Sequence, residues 1–289
     1  MRIDHVLITR FNLPSAGVEQ LVRAQEGWLR DRQALFERYC LPAVASQTEK
    51  NFHWVIYFDT QSPDWLLARV AELSRDGSFT PIYRDEVPHE VLLEDLRAVT
   101  GAGGDVLLTT NLDNDDGVAV DFVQRLQAAV RDQSRAALYV VNGLIQQGDK
   151  LYLRKDPVNA FCSVTESWQD PRTCWSDWHN KLGQTMTVRH IVGRPGWLQV
   201  IHTGNVSNRV RGSRVGPAKY RQYFAVGLSE VRQPGRWELV QDRLLLAPVR
   251  ASKDAVRVGL KNLILKVGGK PALDAVKVIM AGGSTKSAH

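Results

Sequence analysis

The chain has 289 residues, 44% hydrophobic and 24% charged, with a formal net charge of +6. That composition excludes a disordered chain, and no apolar run approaches the roughly 20 residues of a membrane-spanning helix. Seven basic residues against two acidic ones follow Arg250, so the excess charge belongs to the tail rather than to a nucleic-acid footprint spread over a domain. In chain order, DHVLITRFNL (4–13) predicts a first strand. GWLRDRQALFERYCLPAVASQ (27–47) predicts a helix ending near Pro42, then a second short helical piece. FHWVIYFD (52–59), rich in aromatic and β-branched residues, predicts a second strand. SPDWLLARVAELSRDG (62–77) predicts a helix with Ser62 as N-cap and Pro63 in its first turn. FTPIYRD (79–85) is a third strand, and PHEVLLEDLRAVTG (88–101) a helix stopped by glycine. DVLLTTNLD (105–113) is a fourth strand and VAVDFVQRLQAAVRDQ (118–133) a helix.

Strands alternating with helices predict an α/β fold with a mostly parallel, doubly wound sheet. The pattern changes after about residue 135. AALYVVNGLIQQGDKLYLRKD (136–156) reads as two strands around a Gln-Gln-Gly-Asp turn. Clustered aromatics follow at Phe161, Trp168, Trp175 and Trp178, and then a further strand and loop over 190–209. The expected division is a nucleotide-binding half over 1–135, an acceptor-building half over 136–215, and a C-terminal helical extension with a basic tail over 216–289. The N-terminal MRIDHVLITRFNLP lacks the apolar core and cleavage site of a signal peptide. Cys40, Cys162 and Cys174 are odd in number and form no C-x-x-C, which favours a reducing cytoplasm and argues against structural zinc.

Residues 107–122, LLTTNLDNDDGVAVDF, place Asp113, Asp115 and Asp116 within four positions just past the fourth strand. In an open α/β sheet, ligands bind beyond the carboxyl ends of the strands. Three repelling carboxylates there point to a hard divalent cation, Mn²⁺ or Mg²⁺, which takes one or two protein carboxylates and completes its shell with phosphate and water. Such a metal would neutralise a pyrophosphate leaving group. The bland alternative is a capped helix start at Asp116 or Asp121 with solvated acids. An EF-hand loop fails at both ends, because counting from Gly117 as the sixth position puts Leu112 first and Val123 twelfth.

The segments LITRFNL, LFERYCLPAVASQT, FHWVIYFD and above all TTNLDNDDG resemble a family of bacterial rhamnosyltransferases over roughly residues 3–210. That family is similar to nucleotide-sugar transferases of the GT-A fold with an Asp-x-Asp signature. The resemblance implies a GT-A-like (Rossmann-like) sheet flanked by helices. It implies transfer of a hexosyl group, rhamnosyl by the family's name, from a nucleoside-diphosphate sugar to a glycan or lipid-linked acceptor. Asp113 and Asp115 would be the donor and metal acids, with Asp116 supporting. Thr9, Arg10 and Phe11 would lie at the nucleotide base, with Asp59 in the same layer as a base or ribose ligand or a helix cap. Asn111 stands where the family pattern leads one to expect Arg, and so bears on donor contacts. Two rival classes remain: a binding module for nucleotide sugar or glycan without turnover, and a metal-dependent phosphohydrolase or nucleotidyltransferase using the same acids.

His202, at the end of an apolar run and before Gly204, is the expected late metal ligand that GT-A enzymes often supply, against the alternative of a buried, satisfied histidine. His179 and His190 are weaker choices. Trp168, Trp175 and Trp178 are core residues or, for at least one of them, a platform for a sugar ring. For an inverting transfer the base is expected from Glu166, Asp170 or Asp177, with Asp177 preferred because two tryptophans flank it. In the tail, Val256, Leu260, Leu263 and Val267 recur at helical spacing beside Lys253, Arg257 and Lys261. This predicts either a basic amphipathic helix on anionic lipid or a helix docked on the core.

Overall fold

The computed structural model describes residues 1–13, 27–202, 209–250 and 252. Gly204 and the tail's helical repeat lie outside the described residues. A seven-stranded sheet forms the centre. Its strands are β1 (Ile3–Arg10), β2 (His53–Phe58), β3 (Thr80–Tyr83), β4 (Val106–Asn111), β6 (Ala136–Val140), β9 (Ser163–Glu166) and β10 (Thr187–Ile191). Their spatial order is β10-β6-β9-β4-β1-β2-β3. The pairs β1–β2, β1–β4, β2–β3 and β6–β10 are parallel, and only β9 runs against its neighbours β4 and β6. This is the mostly parallel α/β sheet that the alternating pattern predicts.

Helices cover the sheet: α1 (Trp28–Leu35), α2 (Leu41–Ala45), α3 (Asp64–Leu73), α4 (His89–Thr100) and α5 (Phe122–Ala128). The inner strands β1, β2 and β4 are buried on both faces, which is why they read as near-continuous apolar runs. Leu7, Phe11, Phe36, Trp54, Ile56 and Phe58 pack on one side, and Val6, Ile8, Val55, Tyr57, Leu92 and Leu96 on the other.

A second sheet of five strands carries the site's far wall. It comprises β5 (Gly117–Val118), β7 (Asn142–Gln147), β8 (Lys150–Lys155), β11 (Trp197–Ile201) and β12 (Ser213–Val215), in the order β12-β8-β7-β11-β5. Gly143 permits it: a Cβ there would sit 1.9 Å from the Trp197 ring. Residues before and after position 135 share both sheets, since β4 pairs with β9 and β5 with β11.

Three local expectations are corrected. Pro42 does not end the first helix. A π-helical turn at Phe36–Cys40 precedes it, and the chain continues as α2 with proline in the first turn, where its missing N–H costs nothing. Ser62 does not cap α3; its hydroxyl donates to the Asp59 carbonyl at 2.6 Å and accepts from Asn12 Nδ2 at 3.0 Å. The helix expected over 118–133 is only Phe122–Ala128, because Val118 is taken by pairing with Trp197. Among the described residues no helix is long and apolar enough to cross a membrane.

Candidate donor and metal site

The acidic turn follows β4 directly, at the carboxyl end of the parallel strands. Leu112 N donates to Ile8 O at 3.1 Å, which keeps the turn in register with β1. Asn114, between the acids, is buried. Its Nδ2 donates to Phe11 O at 3.1 Å and its Oδ1 accepts from Arg32 of α1 at 3.0 Å. One amide therefore ties together the ends of β1, β4 and α1.

The three carboxylates have different surroundings. Asp113 is exposed, and Asn111 Nδ2 reaches it at 3.3 Å. Asp115 is mostly buried, and its Oδ2 lies 3.0 Å from His202 Nε2. Asp116 is fully buried, and its Oδ1 accepts from Val200 N at 2.8 Å. Burial, then the charges of Asp115 and Asp113, push the Asp116 carboxyl well above the usual carboxylate range. Burial and the same three acids push the Cys40 thiol up as well. The end of β11 thus grips the turn twice, by Val200 N and by His202.

A carboxylate and an imidazole are donor types that a divalent cation accepts. A carboxylate and an imidazole meet at 3.0 Å, with the Asp113 carboxylate two residues earlier. Among the described residues no three His, Cys, Asp or Glu groups converge on one point. Such an ion would draw the rest of its shell from phosphate and water, the usual condition of Mg²⁺ beside a nucleotide. Asp116, expected as a supporting ligand, instead holds β11 through the Val200 N–H.

Beside the acids stands a second group. Asn111 Oδ1 accepts from Trp175 Nε1 at 2.8 Å, and Asn111 Nδ2 donates to Ala160 O at 3.0 Å. The Arg10 guanidinium lies 4.3 Å from the centroid of the Trp175 ring. Arg10, Asn111, Asp113 and Trp175 therefore form one polar and aromatic patch. Thr9 is not part of it: its side chain is buried and accepts from Trp54 Nε1 at 3.0 Å, because alternation in β1 turns it to the core. Asp59 is a turn residue, with Oδ1 accepting from Gln61 N at 2.8 Å and its own N–H donating to Asn12 at 3.0 Å.

Glu166 does not stand where a base could meet an acceptor. It is buried, pairs with Arg135 Nε at 2.6 Å, and accepts from Arg172 N at 2.9 Å and Thr173 N at 2.7 Å. Asp177 is exposed and receives the Trp178 N–H at 2.7 Å. Trp178 is 71% exposed, so the apolar enclosure expected around Asp177 is absent. Trp168 bonds Asp4 from the rim of the core, and His190 Nε2 faces the Pro157 carbonyl. Burial lowers the pKa of His179, against a smaller opposing effect of Asp156.

Sequence reasoning missed Asn114 and Arg32 as the struts of the turn. The signal was the single amide inside a run of acids, where a fourth carboxylate would repel. Replacement of His202 by alanine is expected to raise the Mn²⁺ concentration for half-maximal turnover about tenfold or more while melting stays within about 1 kcal/mol of the parent. Unfolding of that variant would mark His202 as a core residue.

A family model described as "Putative rhamnosyl transferase" matches residues 4–214. The matched span takes in the acidic turn at the carboxyl edge of the α/β sheet. The chain belongs to that family. No curated protein matches it. Among solved structures it is similar to TarS of S. aureus, at 12% identity and TM-score 0.39, over 70% of this chain and 37% of that one. It is also similar to TarS 1–349 in complex with UDP, at 12% identity and TM-score 0.40, over 70% and 61%. A third is described as a "putative nucleotide-diphospho-sugar transferase" from Desulfovibrio desulfuricans G20, at 10% identity and TM-score 0.34, over 70% and 83%. The chain thus spans less than two thirds of either TarS chain.

Proposed function

We propose that this glycosyltransferase moves a hexosyl group, rhamnosyl by the family's description, from a nucleoside-diphosphate sugar to a hydroxyl of a glycan or lipid-linked acceptor, with Mn²⁺ or Mg²⁺ as cofactor. The observation that carries the reading is the 3.0 Å approach of His202 to Asp115, between a turn after β4 and the end of β11. Residues 87 positions apart meet at the edge of the sheet where α/β folds bind nucleotides. When bound, the ion supplies positive charge against the departing diphosphate. Asp115 and His202 would hold it, and Asp113 would orient the donor's ribose or a water of the shell. Arg10, stacked on Trp175, presents its outer face to the nucleotide, and Asn111 keeps that indole in place.

Asp177 is the proposed base, taking the proton from the acceptor hydroxyl as the sugar–oxygen bond forms and the diphosphate leaves. Its Oδ1 accepts from Trp178 N at 2.7 Å and lies 4.0 Å from Lys181 Nζ, and its exposure lets an incoming acceptor reach the carboxylate. Asp177→Asn is expected to lower turnover about 100-fold or more with little change in donor affinity, the usual size of general-base catalysis. Product analysis with candidate donors and Mn²⁺ tests the whole reading: nucleoside diphosphate together with a new glycoside is expected. Nucleoside monophosphate or pyrophosphate would instead favour the hydrolase or nucleotidyltransferase class.

A further inference from the structure

The segment after the second sheet is helical from Arg236 to Arg250: α6 (Arg236–Gln241), a π-helical turn (Asp242–Leu246), and one more turn. Its orientation is inverted. A helix on a globular body normally turns its apolar stripe inward. Here the inward contacts are ionic. Asp242 is buried, accepts from Arg214 N at 2.8 Å, and takes both Arg250 guanidinium nitrogens at 2.8 Å. Arg250 also bonds Gly212 O at 3.0 Å and stands 5.0 Å from the Tyr152 centroid. Glu238 accepts from Arg232 at 2.8 and 3.1 Å.

The outward side is apolar. Trp237 is 84% exposed, Leu244 67% and Leu245 60%, with Val240 also exposed. Positions 237, 240 and 244 follow helical spacing, and Leu245, Leu246 and Val249 widen the exposed apolar surface across the π-helical turn. Scattered exposed apolar residues need no explanation, but a contiguous apolar face on a helix tied to the body by Asp242 and Arg250 marks a binding surface. The exposed cations Arg236 and Arg243 belong to the same segment, and no acidic partner of theirs is seen among the described residues. Downstream of Ser252 the sequence adds seven more basic residues against two acidic ones.

We propose that this helical segment is a membrane-docking surface that lays Trp237, Val240, Leu244 and Leu245 into the interface of an anionic phospholipid bilayer. The composition decides among occupants. A tryptophan beside leucines suits the headgroup boundary, where an amphipathic ring is anchored by its apolar body and polar N–H. Basic residues on the same segment and immediately after it match anionic headgroups. A second copy of the chain would bring the same positive charge against itself. Arg214 joins the helix to β12, its N–H donating to Asp242 and its guanidinium lying 3.8 Å from Glu238, and Arg250 bonds the Gly212 carbonyl, so docking of the helix would fix the body at the bilayer. The inference does not depend on the transferase reading, and its test uses no turnover.

The test is co-sedimentation of the full chain with phosphatidylcholine vesicles containing about 30% phosphatidylglycerol, at low salt. Retention is expected on these vesicles, less on pure phosphatidylcholine, and less again in high salt. The double variant Trp237→Glu with Leu244→Glu changes only exposed positions, so its melting temperature is expected to match the parent. It is expected to need at least about tenfold more lipid for half retention. Three results would overturn the proposal. The parent chain could fail to bind anionic vesicles at low salt. The double variant could bind as the parent does, which would leave the tail alone as the lipid contact. Light scattering could show a dimer that Leu244→Glu dissociates, in a chain that ignores vesicles, which would assign the stripe to self-association.

Discussion

Asp115→Asn is expected to lower metal-dependent transfer about a thousandfold while the chain remains folded. A cation stabilising the departing diphosphate contributes several kcal/mol to the transition state, and about 4 kcal/mol corresponds to three orders of magnitude in rate. Asparagine has the size of aspartate and keeps an oxygen for the His202 contact, which is 3.0 Å in the parent. What it lacks is the charge proposed to hold the ion. That same charge is costly without an ion, because burial and the neighbouring carboxylates of Asp115 and Asp113 already drive the Asp116 carboxyl upward. Removing one neighbour relieves the strain, so the melting temperature in EDTA is expected to hold or to rise by roughly 2–4 °C, the shift that about 1 kcal/mol produces in a chain of 150–250 residues. Initial rates against Mn²⁺ concentration, with melting curves in EDTA and in Mn²⁺, check both halves. Turnover within tenfold of the parent at the same Mn²⁺ requirement would take Asp115 out of the metal site.

The sheet was legible in the sequence because its inner strands are buried on both faces and therefore read as unbroken apolar runs between helical patterns. The acidic turn was legible because three carboxylates crowd just past an apolar strand, although one of them, Asp116, serves the fold by accepting the Val200 N–H. What the sequence hid was direction. Thr9 and Arg10 are adjacent, yet one points into the core at Trp54 and the other lies over Trp175. Only the register of β1 against β2 and β4 decides which is which. Glu166 and Asp177 looked alike as acids in a polar, aromatic stretch. The structure separates them by burial, which depends on long-range pairing of β9 with β4 and β6. Asn114 was invisible for a related reason, since its value lies in joining Phe11 and Arg32, 103 and 82 positions away.

Glu166→Ala is expected to destabilise the protein by about 3–5 kcal/mol, the usual result of removing one partner of a buried ion pair. The Glu166 side chain is 1% exposed, and its loss would leave Arg135 with only the Asp170 carbonyl and would leave two backbone N–H groups without their acceptor. The N–H groups matter most, because they belong to a strained loop. Thr173 is fully buried with φ 68°, a left-handed conformation that a β-branched residue rarely adopts. Its N–H donates to Glu166 Oε1, and the next residue's N–H reaches Thr109 Oγ1 at 2.9 Å. Trp175 follows directly, bonded to Asn111 and lying under Arg10. Glu166 is therefore a positioning residue for the patch proposed to meet the nucleotide, acting through the Thr173 turn. At roughly 2–4 °C per kcal/mol, the melting temperature is expected to fall by about 10 °C. Glu166→Gln retains one carbonyl for Thr173 N but turns an amide donor toward the Arg135 and Arg172 donors, so it should recover only part of that loss. At temperatures where both variants are folded, donor affinity should weaken as the indole loses its place, and this separates positioning from bulk stability. A variant that melts like the parent but loses turnover alone would return Glu166 to the role of base.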